Sequence, residues 1–213
     1  MAPGKVYLIG AGPGDPGLIT VRGLELLSCA DAVLYDALAH PALLDACPNA
    51  EKRNVGKRYG QDSAVQVAIN AELVALARAG KRVVRLKGGD PLLFARGAEE
   101  LQALREAGIA FEIVPGVSSP LAASAYSGIP LTHRELSSSV TFITGSDREG
   151  KDWSPASWQK LGHRNRHDLH LHGHAPDRTD HGGDHRWRAQ RRDRSKPWCN
   201  GRPARSSAWS AAP

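Results

Sequence analysis

The 213-residue chain has three cysteines, Cys29, Cys47 and Cys199, too few and too scattered for a disulfide framework or a zinc cage. A reducing, cytoplasmic compartment is the expectation that follows. No apolar run reaches the roughly eighteen residues that a membrane-crossing helix needs. The opening MAPGKVYLIG has no small-residue cleavage pattern after its apolar stretch, so no signal peptide is expected. Residues 163–213 lack Val, Ile, Met, Phe, Tyr and Glu altogether, and their only large aliphatics are Leu169 and Leu171. Such a segment cannot bury enough apolar surface to offset about 1–2 kcal/mol per residue of backbone ordering, and disorder is expected there. Net charge is absent from the rest: residues 1–162 hold 17 basic and 17 acidic residues, whereas residues 163–213 hold 11 and 5. The whole excess of +6 therefore lies in the tail.

What is present in residues 1–162 reads as alternating strands and helices. KVYLIG, DAVLYD, KRVVRLKGGD, AFEIVPG and SSVTFITG are β-branched runs, several of them ending in glycine turns. Between them, Thr20 is placed to cap a helix through VRGLELLSCA, and Ser63 to cap one through AVQVAINAELVALARAG. Val65, Ile69, Leu73 and Leu76 fall on one face of the second helix, and Gly80 stands just past its end. RGAEELQALREAG and SSPLAASAYSG read as two further helices. The pattern predicts an α/β fold with a mainly parallel sheet and flanking helices, and a ligand site outside the carboxyl ends of the strands.

Two glycine turns follow strands, GAGPGDPG and KGGDPLLFARG. Gly12, Gly14 and Gly17 satisfy G-x-G-x-x-G, and Asp36 ends the next strand about where a ribose-binding acid belongs. Pro13 and Pro16 oppose a dinucleotide, because each removes a backbone N–H from a loop that should donate to a pyrophosphate. The loop suits a ligand without phosphate, such as S-adenosylmethionine. Asp90, directly after the second turn, is free to accept hydrogen bonds from an amine or a ribose. Lys57 and Arg58 in NVGKRYG, and Arg134 in SGIPLTHR, suit a substrate with several carboxylates. Lys52 and Arg53 read as ordinary solvated surface, and Asp36 reads equally well as a cap.

The motifs GAGPGDPGLITVRGLELLSCADAVLYDAL, VGKRYG, RVVRLKGGDPLLFARGAEEL, VPGVSS and SAYSGIPLTHR occur in that order. Together they resemble the tetrapyrrole methylase family, in particular its uroporphyrinogen-III C-methyltransferases, over roughly residues 4–162. The resemblance implies two α/β domains with S-adenosylmethionine between them, usually in a homodimer. It implies C-methylation of uroporphyrinogen III to precorrin-2, on the way to siroheme or cobalamin. By position, Pro13, Gly88, Gly89, Asp90 and Leu93 match residues lining the family's cofactor site. Ser118 and Ser119 fall where the family often has Thr-Ala. Asp36 matches the proton acceptor and Lys57 the proton donor, with Arg58 and Arg134 on the substrate side. Ala37 departs from the family, which usually has Arg there.

The expected organisation is an N-terminal α/β domain over residues 1–115, the start of a second α/β domain over 116–162, and a disordered basic tail over 163–213. The family pattern is lost near His163, as a changed reading frame would produce. Residues 174–188 can be written in GC-rich codons whose shifted frame reads MRRIELITEAITDG, an amphipathic helix with a glycine stop. Two other readings of the tail stand beside this one. His170, His172 and His174 could meet a transition metal, although nothing fixes them in a shared geometry. A basic arm on a nucleotide-binding module could contact nucleic acid.

Overall fold

The computed structural model describes residues 4–56, 63–144 and 166–171. Five parallel strands, β1 (Lys5–Gly10), β2 (Ala32–Tyr35), β3 (Glu51–Asn54), β4 (Val83–Lys87) and β5 (Ala110–Val114), form one sheet in the order β3-β2-β4-β1-β5. The helices are α1 (Val21–Ser28), α2 (Ser63–Arg78), α3 (Gly97–Glu106) and α4 (Ser119–Ser127), with 3-10 turns at Pro16–Leu18 and Pro41–Ala46. Thr20 Oγ1 accepts from the Gly23 N–H at 3.1 Å and so starts α1, meeting one of the orphan donors of a helix N-terminus. α2 stops at a left-handed Gly80.

Alternation along the strands divides the core into two layers. Val6, Leu8, Ala32, Leu34 and Val83 face α2 and α3, where Ile69, Leu73, Leu76, Leu101 and Leu104 cover them. Ile9, Val33, Val84 and Leu86 face the other way, against Leu27 of α1 and Leu43 and Cys47 of the second 3-10 turn. The predicted face Ile69, Leu73 and Leu76 is therefore the buried one. β3 is different. Its sequence EKRN has no apolar pattern, and it forms because β2 offers it an unpaired edge. Its charges suit the exposed rim of a sheet: Arg53 pairs with Glu51 and Glu72, and Lys81 reaches Glu51 at 2.9 Å. Lys52 is exposed.

β6 (Ser139–Thr144) begins a second, two-stranded sheet, and its parallel partner is β7 (Arg166–Leu171). This corrects the expected disorder of residues 163–213 for those six residues. Backbone pairing to the edge of VTFI, register Val140↔His167 through Ile143↔His170, outweighs a composition with little strand preference. The chain divides into Met1–His174 and Ala175–Pro213, and the second unit lies wholly outside the described residues. Of the metal reading, His170 stands in β7 and His172 and His174 lie outside the described residues, as does most of the basic arm. Among the described residues no group of His, Cys, Asp and Glu is arranged to hold a metal, and no helix is long and apolar enough to cross a membrane.

Candidate ligand-binding site

β1 and β4 are neighbours whose chains leave the sheet on opposite faces, β1 into α1 and β4 into α3. That is the switch point of a doubly wound sheet, where a crevice forms at the carboxyl ends. Both glycine turns meet there. The Gly12 N–H donates to Gly89 O at 3.3 Å, and the Gly89 N–H donates to Gly12 O at 2.8 Å. Gly12 and Gly89 have φ of +78° and +67°, which side chains resist. A third turn closes on them: a Cβ on Gly10 would lie 2.5 Å from Gly116 Cα and 2.6 Å from Gly89 O.

Beside this junction is a cavity of about 610 Å³, within the range of small-ligand sites. It brings together Pro13, Asp36, Gly88, Gly89, Asp90 and Leu93, and also Ser118 and Ser119 at the start of α4. Ala37, the departure from the family, lies on the same wall. Arg134 is exposed and is not on the cavity lining. Its place on the substrate side is not what the described residues show. Lys57 and Arg58 lie outside the described residues, although their neighbour Gly56 reaches the cavity.

The two carboxylates do more local work than their spacing foretold. Asp36 Oδ1 accepts from the Leu38 and Ala39 N–H groups at 3.1 and 3.2 Å, which is the capping role. Its Oδ2 accepts from the Gly88 N–H at 3.1 Å and stands 3.9 Å from Arg85 Nη2. Asp36 thus joins the end of β2 to the second glycine turn at the cavity wall. Asp90 Oδ1 accepts from the Leu92 N–H at 2.8 Å and Oδ2 from the Gly116 N–H at 3.1 Å. It is not an idle acceptor waiting for a ligand. It first ties the second turn to the third.

Several site residues carried no legible motif. Arg85 and Lys87 sit two apart on one face of the central strand, buried against Glu100 of α3. Lys87 Nζ donates to both Glu100 oxygens at 3.0 Å, and Arg85 Nε donates to Oε1 at 3.0 Å. Burial first, and then the Arg85 charge, push the Lys87 ammonium below its usual range, against the pull of Glu100. Phe94 and Arg96, on the cavity rim, are non-glycine residues with φ of +53° and +56°. Strain of this kind is found around ligand clamps. Tyr126 of α4 donates to Asp15 Oδ2 at 2.7 Å, fastening α4 to the first glycine loop. That bond, with the Gly17 N–H, holds the Asp15 carboxyl below its ordinary range.

Fold and crevice define a doubly wound α/β protein that receives a small ligand at the switch point of its sheet. The chain belongs to the tetrapyrrole methylases: the pattern of the Tetrapyrrole (Corrin/Porphyrin) Methylases matches residues 5–171, past the point near His163 where it was expected to fail. It is 56% identical over 161 residues to siroheme synthase 2 of Yersinia pestis (strain Pestoides F), covering 75% of this chain and 34% of that protein. It is 47% identical over 190 residues to an S-adenosyl-L-methionine-dependent uroporphyrinogen III methyltransferase of Methanosarcina barkeri, covering 82% and 74%. Its fold matches the uroporphyrin-III C-methyltransferase of Thermus thermophilus complexed with S-adenyl homocysteine, at a TM-score of 0.57 and 46% identity over 67% of this chain and 59% of that one. The chain thus spans about a third of the length of the siroheme synthase.

Proposed function

We propose that the chain binds S-adenosylmethionine in this cavity and carries the cofactor side of a uroporphyrinogen-III C-methyltransferase, whose product is precorrin-2. The observation that carries the reading is where the loop amides go. A dinucleotide needs N–H groups aimed at its pyrophosphate. Here the Gly12 amide serves Gly89, the Ala11 amide serves Lys87 O and the Gly17 amide serves Asp15, while Pro13 and Pro16 have none. The basic residues of the cavity floor, Arg85 and Lys87, are bound to Glu100. A nucleoside sulfonium has no phosphate to satisfy and asks for close backbone approach, which the turns provide. A Cβ built on Gly89 would have no atom within 4 Å, so that turn faces open space. The Methanosarcina relative and the Thermus complex with S-adenyl homocysteine support the same choice.

S-adenosylmethionine, when bound, supplies an electrophilic methyl group to an electron-rich pyrrole carbon. Pro13, Leu93, the Gly88–Asp90 turn and Ser118–Ser119 would hold it. Orientation of the reactants by such a cleft is worth up to about 7–11 kcal/mol. Asp36 Oδ2, which accepts from the Gly88 N–H at 3.1 Å, would stabilise developing positive charge on the ring or accept a proton. Lys57 is proposed as the donor, and Lys57, Arg58 and Arg134 as partners for substrate carboxylates. Assembly as a homodimer belongs to the same reading. Isothermal calorimetry with S-adenosylhomocysteine and with NAD tests it. Binding of the former alone is expected. Binding of NAD without S-adenosylhomocysteine would return the site to the dinucleotide class.

A further inference from the structure

The buried charges of β4 lie only where the strand meets the cavity. Val83, on the same face two residues before Arg85, packs in the apolar layer. Arg85, Lys87 and Glu100 have side-chain exposures of 5%, 3% and 0%. A buried ion cluster is generally no more stabilising than apolar residues of the same volume, so stability alone gives weak reason for this one. Its geometry gives a better one. Arg85 has three anchors: Nε to Glu100 at 3.0 Å, and Nη1 to Leu34 O and Leu86 O at 3.4 and 3.0 Å. Its remaining nitrogen, Nη2, makes only a long ion pair with Asp36 Oδ2 at 3.9 Å, beyond hydrogen-bond reach. Asp36, instead of closing on the guanidinium, spends its oxygens on the Leu38, Ala39 and Gly88 amides. Gln66 Nε2 completes the Glu100 shell at 3.3 Å.

We infer that Glu100 is a positioning residue of the cavity: by holding Arg85 it keeps that guanidinium beyond hydrogen-bond reach of Asp36, and so leaves Asp36 to grip the Gly88 amide. Two carboxylates face one guanidinium, and the fully buried one holds it at 3.0 Å against 3.9 Å for Asp36, because a charge out of reach of water depends more on its partner. Neutralising Glu100 removes the stronger claimant. Arg85 then swings its free edge onto Asp36 Oδ2, a charge-assisted pair forms, and the Gly88 N–H, which now shares that oxygen at 3.1 Å and reaches Oδ1 at 3.3 Å, is left with a weaker hydrogen bond. The second glycine turn loosens although no residue touching the ligand has changed.

The test uses the full chain and Glu100→Gln, which keeps the shape of the side chain and removes its charge. In the ligand-free protein the Gly88 amide proton is expected to move upfield on nitrogen–proton correlation spectra, as its hydrogen bond weakens. In an Asp36→Asn background the same substitution is expected to move it no further. Where Glu100→Gln fails to fold, Glu100→Asp keeps the charge but shortens the reach, and the same displacement is expected. An unmoved Gly88 resonance in a folded variant, or equal displacements with and without Asp36, overturns the inference. A second arm rests on the cofactor reading above: S-adenosylhomocysteine affinity is expected to fall roughly fivefold or more in Glu100→Gln, the scale of one lost hydrogen bond. Absence of binding to the unsubstituted chain defeats that cofactor reading alone, since the Gly88 resonance still decides the role of Glu100.

Discussion

Asp90 is the residue whose role changes most between sequence and structure. Its spacing after Gly88–Gly89 marks it as a ligand acceptor, yet both oxygens already hold backbone amides, those of Leu92 and Gly116. Asp90→Ala removes the clasp and leaves the part-buried Gly116 N–H without its partner, at a cost of about 1–3 kcal/mol, while the exposed Leu92 N–H turns to water. A lower melting temperature is expected together with at least about tenfold weaker S-adenosylhomocysteine binding, again by the measure of lost charge-assisted bonds. Unchanged calorimetry in a folded Asp90→Ala protein removes the second turn from the binding site. Asp31 gives a residue-scale test of pH. The Arg82 N–H at 2.7 Å, then the Arg82 side chain, hold its carboxyl below the ordinary value of 3.8. Its stabilising contribution is therefore complete above that value and is lost as pH falls through the lower folded one. Thermal melts between pH 5 and pH 2 are expected to show a shallower acid decline for Asp31→Asn than for the unsubstituted chain.

At the scale of elements, the three turns at the carboxyl end of the sheet behave as one unit. Gly10→Ala places a methyl group 2.5 Å from Gly116 Cα and 2.6 Å from Gly89 O, backbone atoms that cannot turn aside. Overpacking of this kind costs about 1–3 kcal/mol. Both a depressed melting temperature and loss of S-adenosylhomocysteine binding are expected, and full affinity in Gly10→Ala would mean that the junction is not part of the site. β1, β2, β4, β5 and β6 were legible because β-branched runs ended in glycine or aspartate. α2 was legible because Ile69, Leu73 and Leu76 share a face. β3 was not, because EKRN forms by pairing at an edge and carries no periodicity of its own. Arg85, Lys87 and Glu100 were hidden for a related reason. Two charges two apart in a strand signal a shared face, but only the packing of α3 over that face supplies the carboxylate that lets them be buried.

For the whole molecule, β7 redraws the consequence of shortening the chain. Truncation after Gly162 removes the partner of β6, and a lower melting temperature or a partly melted second sheet is expected. Truncation after His174 spares the unit that contains every described residue, and an unchanged melt is expected; differential scanning calorimetry separates the two. Turnover is the larger test. Residues 172–213 hold no Val or Ile, and Thr179 is their one β-branched residue; the chain covers 59% of the Thermus enzyme. Methyl transfer to uroporphyrinogen III is expected to be far slower than by the Methanosarcina relative. Replacing the residues after Leu171 with the corresponding part of that relative is expected to recover it. Normal turnover by the 213-residue chain would show that residues 172–213 serve the reaction as they stand. The coding DNA across residues 160–188 decides whether a shifted frame produced the tail.

The reciprocal Gly12–Gly89 bonds also say something about time. Each turn is the other's hydrogen-bond partner, so neither can open alone and the seam between β1 and β4 has no hinge. On the α4 side, the exposed Tyr126–Asp15 bond fastens α4 to the first glycine loop, and loosening it is expected to ease ligand passage there. In hydrogen–deuterium exchange, the Gly12 and Gly89 amides should therefore exchange together, at the slow rate of the sheet's cooperative opening. Tyr126→Phe should speed ligand association and dissociation while leaving that slow pair untouched.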